Sequence, residues 1–295
     1  MGAAKASTTS AYADLGRLPG IFAPKIKEPN HFCTDLYGHR HFAMTKTLHA
    51  FSNLAWIKSA QDYSALYDGV DERFLLDGST TYLYSTEAAA NIFAYNPRAR
   101  VIILLRDPVR RAWSEYKMNV SIGLEYRGFR SAVRRELSEL GKGRTFLFSR
   151  YIRAGLYAEQ VNAYLEIFPR GSVFVDVVDR PGEAMSDVIG RLLDFLGCKS
   201  DFTLGSVREN SGKWPANKLL NSALYYSGLK ATISRLAPGV LKESMKANYY
   251  VAADDRASIS DVEQIGLVFA QDVRRLQECT GLDLQHWLPL QAVDI

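Results

Sequence analysis

The chain opens with a short segment whose residue types suit a phosphate group. Small residues and hydroxyls from Gly2 to Thr9 surround one lysine, Lys5, and lead directly into a predicted helix. Backbone N–H groups at a helix N-terminus bind anions, small residues let the backbone approach closely, and a lysine adds a point charge. The alternative interpretation is an ordinary flexible N-terminus with a Ser or Thr N-cap.

A second candidate site follows the most apolar run of the chain. Residues 101–105 are all aliphatic, which predicts a strand buried on both faces of a parallel sheet. Arg106 stands at its carboxyl end, where ligands bind in open α/β sheets. Its guanidinium can form a bidentate fork on phosphate, and Ser114, about two helical turns further on, can add a hydroxyl. The alternative is a structural ion pair between Arg106 and Asp107.

The elements that must position these residues alternate along the chain. Short apolar runs between helical patterns predict an α/β fold with crossover helices. We expect strands at residues 74–76, 101–105 and 172–178, and helices at 8–18, 85–95, 108–121, 129–140, 151–168 and 184–196. From residue 217 the pattern is mainly helical. Since no linker interrupts the chain, we predict one domain over residues 1–295, with an α/β core at 1–215 and a helical part at 216–295.

Composition narrows the class of protein. Hydrophobic residues make up 47% and charged residues 23% of the 295 residues, as in a soluble globular protein. The net charge of +4 is too small to predict a nucleic-acid surface. Three cysteines far apart indicate a reducing compartment, and no apolar run is long enough for a signal peptide or a membrane span. The expected location is therefore the cytoplasm.

Three motifs follow one another along the chain in a fixed order and spacing. They are Gly2-x-x-Lys5-x-Ser7-Thr8-Thr9, Lys27-Glu28-Pro29 and Arg106-Asp-Pro-x-x-Arg-Ala-x-Ser114-x-Tyr116. Together they resemble the motifs of the sulfotransferases that use 3′-phosphoadenosine 5′-phosphosulfate (PAPS). The resemblance continues to the segment Leu282-Asp-Leu-Gln-His-Trp287 and covers nearly the whole chain. The chain resembles bacterial members related to the heparan sulfate type more than the cytosolic phenol and steroid type.

The resemblance implies a single α/β domain of P-loop kinase-like architecture, with a central parallel sheet flanked by helices. It also implies a nucleotide site in three parts. The 5′-phosphosulfate would be held by Lys5, Ser7, Thr8 and Thr9. The 3′-phosphate would be held by Arg106 and Ser114, and a loop with Arg208, Ser211, Gly212 and Lys213 would close over the nucleotide.

The resemblance places a general base at Glu28, a few residues before His31-Phe32. His31 is the alternative base. A competing interpretation is that Glu28 is a solvated acid paired with Lys25 or Lys27. Lys5 would neutralise the leaving phosphate.

The chain departs from the family pattern in two places. Only Met1 stands before Gly2, so the hydrophobic first strand that normally precedes the phosphosulfate loop is apparently missing. Some glycan-directed relatives also place a lysine before the Ser of a Ser-x-Thr-Tyr segment, where this chain has Gly78. We therefore expect one charge near the sulfuryl group to be absent.

Two further patterns have plainer alternatives. His31, His39, His41 and His49 crowd one region, but no metal-site spacing accompanies them, so no metal is expected. A basic helix face could meet an anionic acceptor, although a solvated face is the simpler interpretation. That face comprises Arg127, Arg130, Arg134 and Arg135.

The predicted reaction is in-line transfer of a sulfuryl group from PAPS to a hydroxyl or amine of a glycan, lipid or small metabolite. One alternative is a P-loop-related kinase, which would need Gly-Lys followed by Ser or Thr; Gly212-Lys213 is followed by Trp214. The other is a non-catalytic descendant that binds a nucleotide or a partner. The sequence does not distinguish among acceptors.

Overall fold

The computed structural model describes residues 2–37, 55–142, 151–198, 213–229, 250–252 and 259–289. The predicted helices at 8–18, 85–95 and 151–168 are shorter in the structure. None of the described helices is long and apolar enough to cross a membrane. The helices are α1 (Thr8–Leu15), α2 (Ala60–Ser64), α3 (Ala88–Tyr95), α4 (Pro108–Ile122), α5 (Phe129–Leu140), α6 (Tyr157–Ile167), α7 (Met185–Leu196), α8 (Lys218–Tyr226) and α9 (Ile259–Thr280). The strands are β1 (Ile21–Phe22), β2 (Phe74–Leu75), β3 (Val101–Leu105), β4 (Val173–Val177), β5 (Lys213–Pro215) and β6 (Tyr250–Ala252).

Two parallel strand pairs confirm the predicted α/β class. Strands β3 and β4 run in register from Val101 opposite Val173 to Leu105 opposite Val177, and β1 pairs in parallel with β2. Within the described ranges these pairs are separate rather than one continuous sheet, because no strand there joins β2 to β3. An antiparallel pair, β5 with β6, was not predicted. Strand β5 lies in the predicted α/β core and β6 in the predicted helical part, so this pair joins the two parts. The division of the chain at position 215 stays a prediction.

Strand β3 separates two cores, which explains its continuous aliphatic sequence. Val101, Ile103 and Leu105 belong to the main core, covered by α4, α6 and α9. Ile102 and Leu104 face smaller clusters formed with α1 and α7. Each fully buried side chain of this size contributes roughly 1.5–3 kcal/mol of hydrophobic free energy. The strand is therefore held from both faces, and the residues that follow it are placed firmly.

Helix α6 begins later than its sequence pattern predicted. The Asp272 carboxylate of α9 accepts hydrogen bonds from the backbone N–H of Tyr157 (2.6 Å) and Ala158 (3.2 Å), and so caps the helix start. Just before it, a Cβ added at Gly155 would lie 2.9 Å from the Phe269 ring. The chain therefore passes α9 too closely for the helix to start earlier.

Buried charges fasten α4 to the chain around it. Arg111 is fully buried, pairs with Glu115 on the same helix, and donates to the Tyr151 carbonyl at 2.6 Å. Glu136 of α5 accepts from the backbone N–H of Ile152 at 3.0 Å. Burial raises the pKa of Glu136 to about 7. These contacts bring α4, α5 and the segment before α6 together beneath the candidate site.

The N-terminal segment meets β3 on the edge that β4 does not use. Gly2 forms an isolated parallel bridge with Leu104, and the Ala3 N–H donates to the Leu104 carbonyl at 2.9 Å. The neighbouring Leu105 carbonyl accepts from Val178, beyond β4. Because successive carbonyls of a strand point to opposite edges, Gly2 and β4 lie on either side of β3. No other described strand pairs with this edge.

We expect that a strand placed before Gly2 pairs with this edge of β3. Adding about six residues, the usual length of a strand, of apolar and β-branched type should raise Tm, because the added strand would pair with backbone groups along this edge. An extension of equal length made of Gly and Ser is the control. Differential scanning calorimetry measures both, and equal Tm values for the two extended proteins would contradict the expectation.

Candidate functional site

The N-terminal loop, residues 2–9, has a strained backbone next to a helix start. The φ angle is 74° at Lys5 and 55° at Ser7, in the left-handed region that residues with a side chain rarely adopt. Such strain costs about 1–3 kcal/mol per residue and is concentrated at functional sites. Ser7 occupies the N-cap position of α1 but makes no side-chain capping bond, unlike the N-cap that the sequence offered as an alternative. The first backbone N–H groups of α1 therefore remain available to an anion.

Close approach to β3 requires a glycine at the beginning of this loop. A Cβ at Gly2 would lie 2.8 Å from Thr8 Cγ2 and 3.0 Å from both the nitrogen and the oxygen of Leu104. Backbone atoms in a strand cannot move aside for it. The glycine of the first motif thus serves the contact with β3 that fixes the position of the loop.

Lys5 is a partly buried cation without a carboxylate partner among the described residues. Its Nζ contacts Met118 Sδ at 3.8 Å. Burial is the main cause of a lowered pKa of Lys5; the Glu115 carboxylate opposes this effect, and the positive charges of Arg106 and Arg111 add to it. An anion bound in the loop would relieve both the desolvation and the repulsion.

Arg106 lies beside the same loop, and its guanidinium forms no ion pair in the part of the chain that the structure describes. Its Nη1 donates to the Lys5 carbonyl at 3.3 Å. The Asp107 carboxylate instead caps α4, accepting from the backbone N–H of Val109 (2.7 Å) and Arg110 (3.0 Å). The structural ion pair considered as an alternative from sequence is therefore not formed.

Ser114 shares a face of α4 with Met118, the residue that Lys5 contacts. The two positions are four apart, and positions four apart lie on one face of a helix. The phenol of Tyr157 donates to the Arg106 carbonyl at 3.0 Å and fixes the turn between β3 and α4. The structure thus brings together two segments about 100 positions apart in sequence.

A second group of polar residues, which we call the Glu28 cluster, comprises Lys27, Glu28 and Thr80. The Lys27 ammonium lies 2.7 Å from Glu28 Oε1, and the Thr80 hydroxyl donates to Glu28 Oε2 at 3.1 Å. Of the two lysines that sequence offered as partners of Glu28, the structure selects Lys27, while Lys25 is exposed. The pair is not the solvated surface pair of that interpretation, because Lys27 is only 4% exposed.

Residues that the sequence did not indicate hold this cluster in place. Asn30 adopts a left-handed φ of 52°, and its side chain donates to the carbonyls of Glu28 (2.9 Å) and Ala55 (2.8 Å). The Asn30 N–H donates to Ser79 Oγ at 3.0 Å. Asparagine tolerates the left-handed region better than most residues, which is the one sequence signal available.

A buried carboxylate fixes the Ser79–Tyr82 turn from below. Asp77 accepts hydrogen bonds from the hydroxyls of Ser79 (2.6 Å), Tyr82 (2.7 Å) and Tyr63 (3.1 Å). Burial raises the pKa of Asp77, and the bonds from Ser79 and Tyr82 partly offset that effect. The turn that carries Thr80 is therefore rigidly supported.

His31 has a defined hydrogen bond on one ring nitrogen. Its Nδ1 lies 2.8 Å from the Ile57 carbonyl, which only accepts, so Nδ1 donates. In the neutral ring Nε2 then carries the lone pair. The ring stacks on Tyr63 at a centroid distance of 4.5 Å. His31 is thus placed to act as an acceptor, as the alternative assignment requires.

The N-terminal loop and the Glu28 cluster meet at a small cavity. Thr80, which donates to Glu28, lines it together with Ala3 and Ala4 of the loop. The loop and the cluster meet there through Ala3, Ala4 and Thr80, and neither Lys5 nor Glu28 is among the lining residues. The remaining lining residues are Leu83, Tyr84, Ala154 and Gln160.

Some predicted residues lie outside the described ranges. Arg208, Ser211 and Gly212 are among them, and of Lys213 only the backbone, in β5, is described. His39, His41 and His49 also lie outside, and the described part of the chain contains no group of three or more possible metal ligands.

Two of the four arginines of the predicted basic face form ion pairs. Arg130 pairs with Asp261 of α9 at 2.7 Å, and Arg127, just before α5, pairs with Glu125 at 3.3 Å. The first pair ties two helices together. That the face is solvated rather than an acceptor surface stays a prediction.

Comparison with curated proteins finds relatives over half of this chain. It is 28% identical over 146 residues to human heparan sulfate glucosamine 3-O-sulfotransferase 6, and 27% identical over 150 residues to mouse heparan sulfate glucosamine 3-O-sulfotransferase 3A1. These matches cover 50% and 51% of this chain, but 40% and 36% of the relatives. The chain thus spans about two fifths of their length. No family model matches the chain.

Comparison with solved structures covers almost the entire chain. The structure of a sulfotransferase from Alicyclobacillus acidocaldarius matches with a TM-score of 0.71 and 26% sequence identity, over 97% of this chain and 96% of that one.

Proposed function

The chain is related to the sulfotransferases, and we propose that it transfers a sulfuryl group from PAPS to a hydroxyl or amine acceptor. One observation carries the proposal. The partly buried Lys5 ammonium sits on a loop at a helix start, with a left-handed backbone at Lys5 and Ser7. The Arg106 guanidinium donates to the Lys5 carbonyl, and within the described residues neither cation has a carboxylate partner. Two such cations at one backbone anion site fit a ligand with two separated anionic groups.

The residues present fit such a donor. Lys5, with the N–H groups and hydroxyls of Ser7, Thr8 and Thr9, would hold the 5′-phosphosulfate. Arg106 and Ser114 would hold the 3′-phosphate. In support, Arg106 donates to the Lys5 carbonyl of the loop, and Ser114 shares a face of α4 with Met118, which Lys5 contacts. Bound PAPS supplies an activated sulfuryl group on a phosphate leaving group. A loop with Arg208, Ser211, Gly212 and Lys213 remains our proposal for the segment that closes over the nucleotide.

The protein has little covalent work in this transfer; it positions groups and stabilises charge. Lys5 would offset the negative charge that develops on the leaving phosphate. Because its ammonium is already partly buried, little water would have to be displaced from it during the reaction. Glu28 would take the proton of the acceptor, with its carboxylate oriented by Lys27 and Thr80. His31 is the alternative base, through Nε2.

The acceptor is open within this proposal. The curated relatives are named for heparan sulfate glucosamine, but they match only half of this chain. Glycans, lipids and small hydroxylated or amino metabolites are therefore all candidates. We also propose a reducing, cytoplasmic location, which rests on three cysteines that are all free thiols.

The activity is tested by incubating the protein with ³⁵S-labelled PAPS and a panel of these acceptors. Thermal-shift titration with adenosine 3′,5′-bisphosphate, compared with ATP and magnesium, reports the nucleotide independently, because a ligand of the native state raises Tm. Stabilisation by the bisphosphate together with label transfer is the expected result. Preference for ATP with magnesium would favour a kinase instead, and bisphosphate binding without transfer to any acceptor would favour a non-catalytic descendant.

Arg106 should discriminate between nucleotides that differ at the 3′ position. Arg106→Ala should weaken adenosine 3′,5′-bisphosphate by about 1.5–3 kcal/mol, the scale of a hydrogen bond to a charged group, and adenosine 5′-phosphate much less. Isothermal titration calorimetry measures both affinities. The matched control is Arg110→Ala, an exposed arginine one turn further on. Equal losses for the two nucleotides would contradict the assignment of Arg106.

Lys5 should act more on the transition state than on the bound substrate. Lys5→Ala is expected to lower kcat by ~10²-fold or more, the size of effect known for one electrostatic donor in an active site. Steady-state kinetics separates the two possibilities. A raised KM at unchanged kcat would show that Lys5 contributes only to binding.

Glu28 should be needed for turnover but not for the nucleotide. Glu28→Gln keeps the shape of the side chain and removes its basicity, so kcat should fall by ~10²-fold or more while the bisphosphate Kd hardly changes. Glu72→Gln, at an exposed position, is the control. If His31→Ala is inactive and Glu28→Gln is active, the base is His31. If both variants remain active, the acceptor needs no base.

A further inference from the structure

Lys27 is a buried cation whose surroundings are unusual. Its side chain is 5% exposed, and its ammonium lies 2.7 Å from Glu28 Oε1. Burying an ammonium is costly unless it is paired, and the Glu28 carboxylate is the partner seen here. A lysine that served only solubility would direct its ammonium to water, as the exposed Lys25 can.

The course of the Lys27 side chain depends on the absence of a side chain at Gly78. A Cβ at Gly78 would lie 3.0 Å from Lys27 Cγ and 2.8 Å from Cδ2 of Tyr12, on α1. The Gly78 N–H donates to the Lys27 carbonyl at 2.9 Å, so the two backbones are fixed next to each other. Gly78 has an ordinary φ, so its requirement is space rather than conformation.

The contact extends from Gly78 to the loop. Lys27 holds one oxygen of Glu28, and Thr80, two residues after Gly78, holds the other. Thr80 in turn lines the cavity shared with Ala3 of the N-terminal loop. A carboxylate held at both oxygens has one orientation. Lys27 contributes to this orientation, and its aliphatic stem passes through the space beside Gly78.

We propose that Lys27 is a positioning residue that aims the Glu28 carboxylate, and that Gly78 admits its side chain. The inference rests on the proposed function. It gives Lys27, in the second motif, a positioning role and adds a spatial requirement at Gly78.

The first test separates charge from packing. Lys27→Gln retains a donor toward Glu28 and removes the charge, whereas Lys27→Met keeps the apolar stem alone. Both should lower kcat at least tenfold and leave the Kd of adenosine 3′,5′-bisphosphate within twofold. The control Lys25→Met should change neither. Turnover within twofold of the unsubstituted enzyme in Lys27→Gln would overturn the proposal, as would a parallel loss of nucleotide affinity, which indicates a merely structural role.

The second test addresses Gly78. Gly78→Ala should reduce kcat in the same direction, because the added methyl displaces the Lys27 stem. In the Lys27→Met background the same substitution should add less than twofold, since the group it displaces is already without function. If Gly78→Ala lowered kcat by the same factor with and without Lys27→Met, Gly78 would act independently of Lys27. That result would overturn the role assigned to Gly78.

A readout without turnover comes from the lysine ammonium itself. In spectra of protein labelled with ¹⁵N-lysine, a buried, paired ammonium should exchange slowly and give a resolved resonance, unlike exposed Lys25. Glu28→Gln and Gly78→Ala should shift or abolish it. A Lys27 resonance indifferent to Glu28→Gln would overturn the pairing. Failure of the proposed function is distinct from these outcomes, because it appears as absence of label transfer in the unsubstituted enzyme.

Discussion

The site depends on one backbone contact, the approach of Gly2 and Ala3 to Leu104 on the edge of β3 that β4 does not use. This contact places the strained turn at Lys5 beside Arg106, the residue that follows the strand. The Lys5 carbonyl then becomes the acceptor for the Arg106 guanidinium. Because Thr8 Cγ2 and the backbone of Leu104 leave no space there, even a methyl group at Gly2 would push the loop away from β3.

Positive charge predominates around Lys5 among the described residues. Burial has the largest effect on the pKa of Lys5 and lowers it; Arg106, Arg111 and Lys117 lower it further, and Glu115 raises it. Glu115 is itself already paired with Arg111. The fold tolerates this unbalanced group because α4 is anchored by buried contacts, among them that of Arg111 with the Tyr151 carbonyl. The buried contacts beneath the site therefore offset the backbone strain and the charge repulsion within it.

The proton-accepting side is built differently, from short loops rather than from a strand end. Glu28 receives Lys27 and Thr80, and Asn30 ties its backbone to the opposite loop. Asp77 holds the turn that carries Thr80 through three hydroxyls, two of them tyrosine phenols that burial keeps protonated, since it raises their pKa. Rigidity here comes from a network of hydrogen bonds around one buried acid.

The sequence alone was sufficient to predict those elements whose formation depends on a local residue pattern. The aliphatic run of β3, the helix after Asp107 and the loop around Lys5 were predictable, since burial on two faces, capping and small residues at a helix start each leave a short signal. Only the tertiary structure decided which partners these residues have. Whether Arg106 pairs with Asp107, which lysine meets Glu28, and why position 78 is a glycine depend on segments about 50 to 100 positions apart. Such contacts carry no periodicity in the sequence, because they are set by how strands and loops pack and not by the conformation of any one of them.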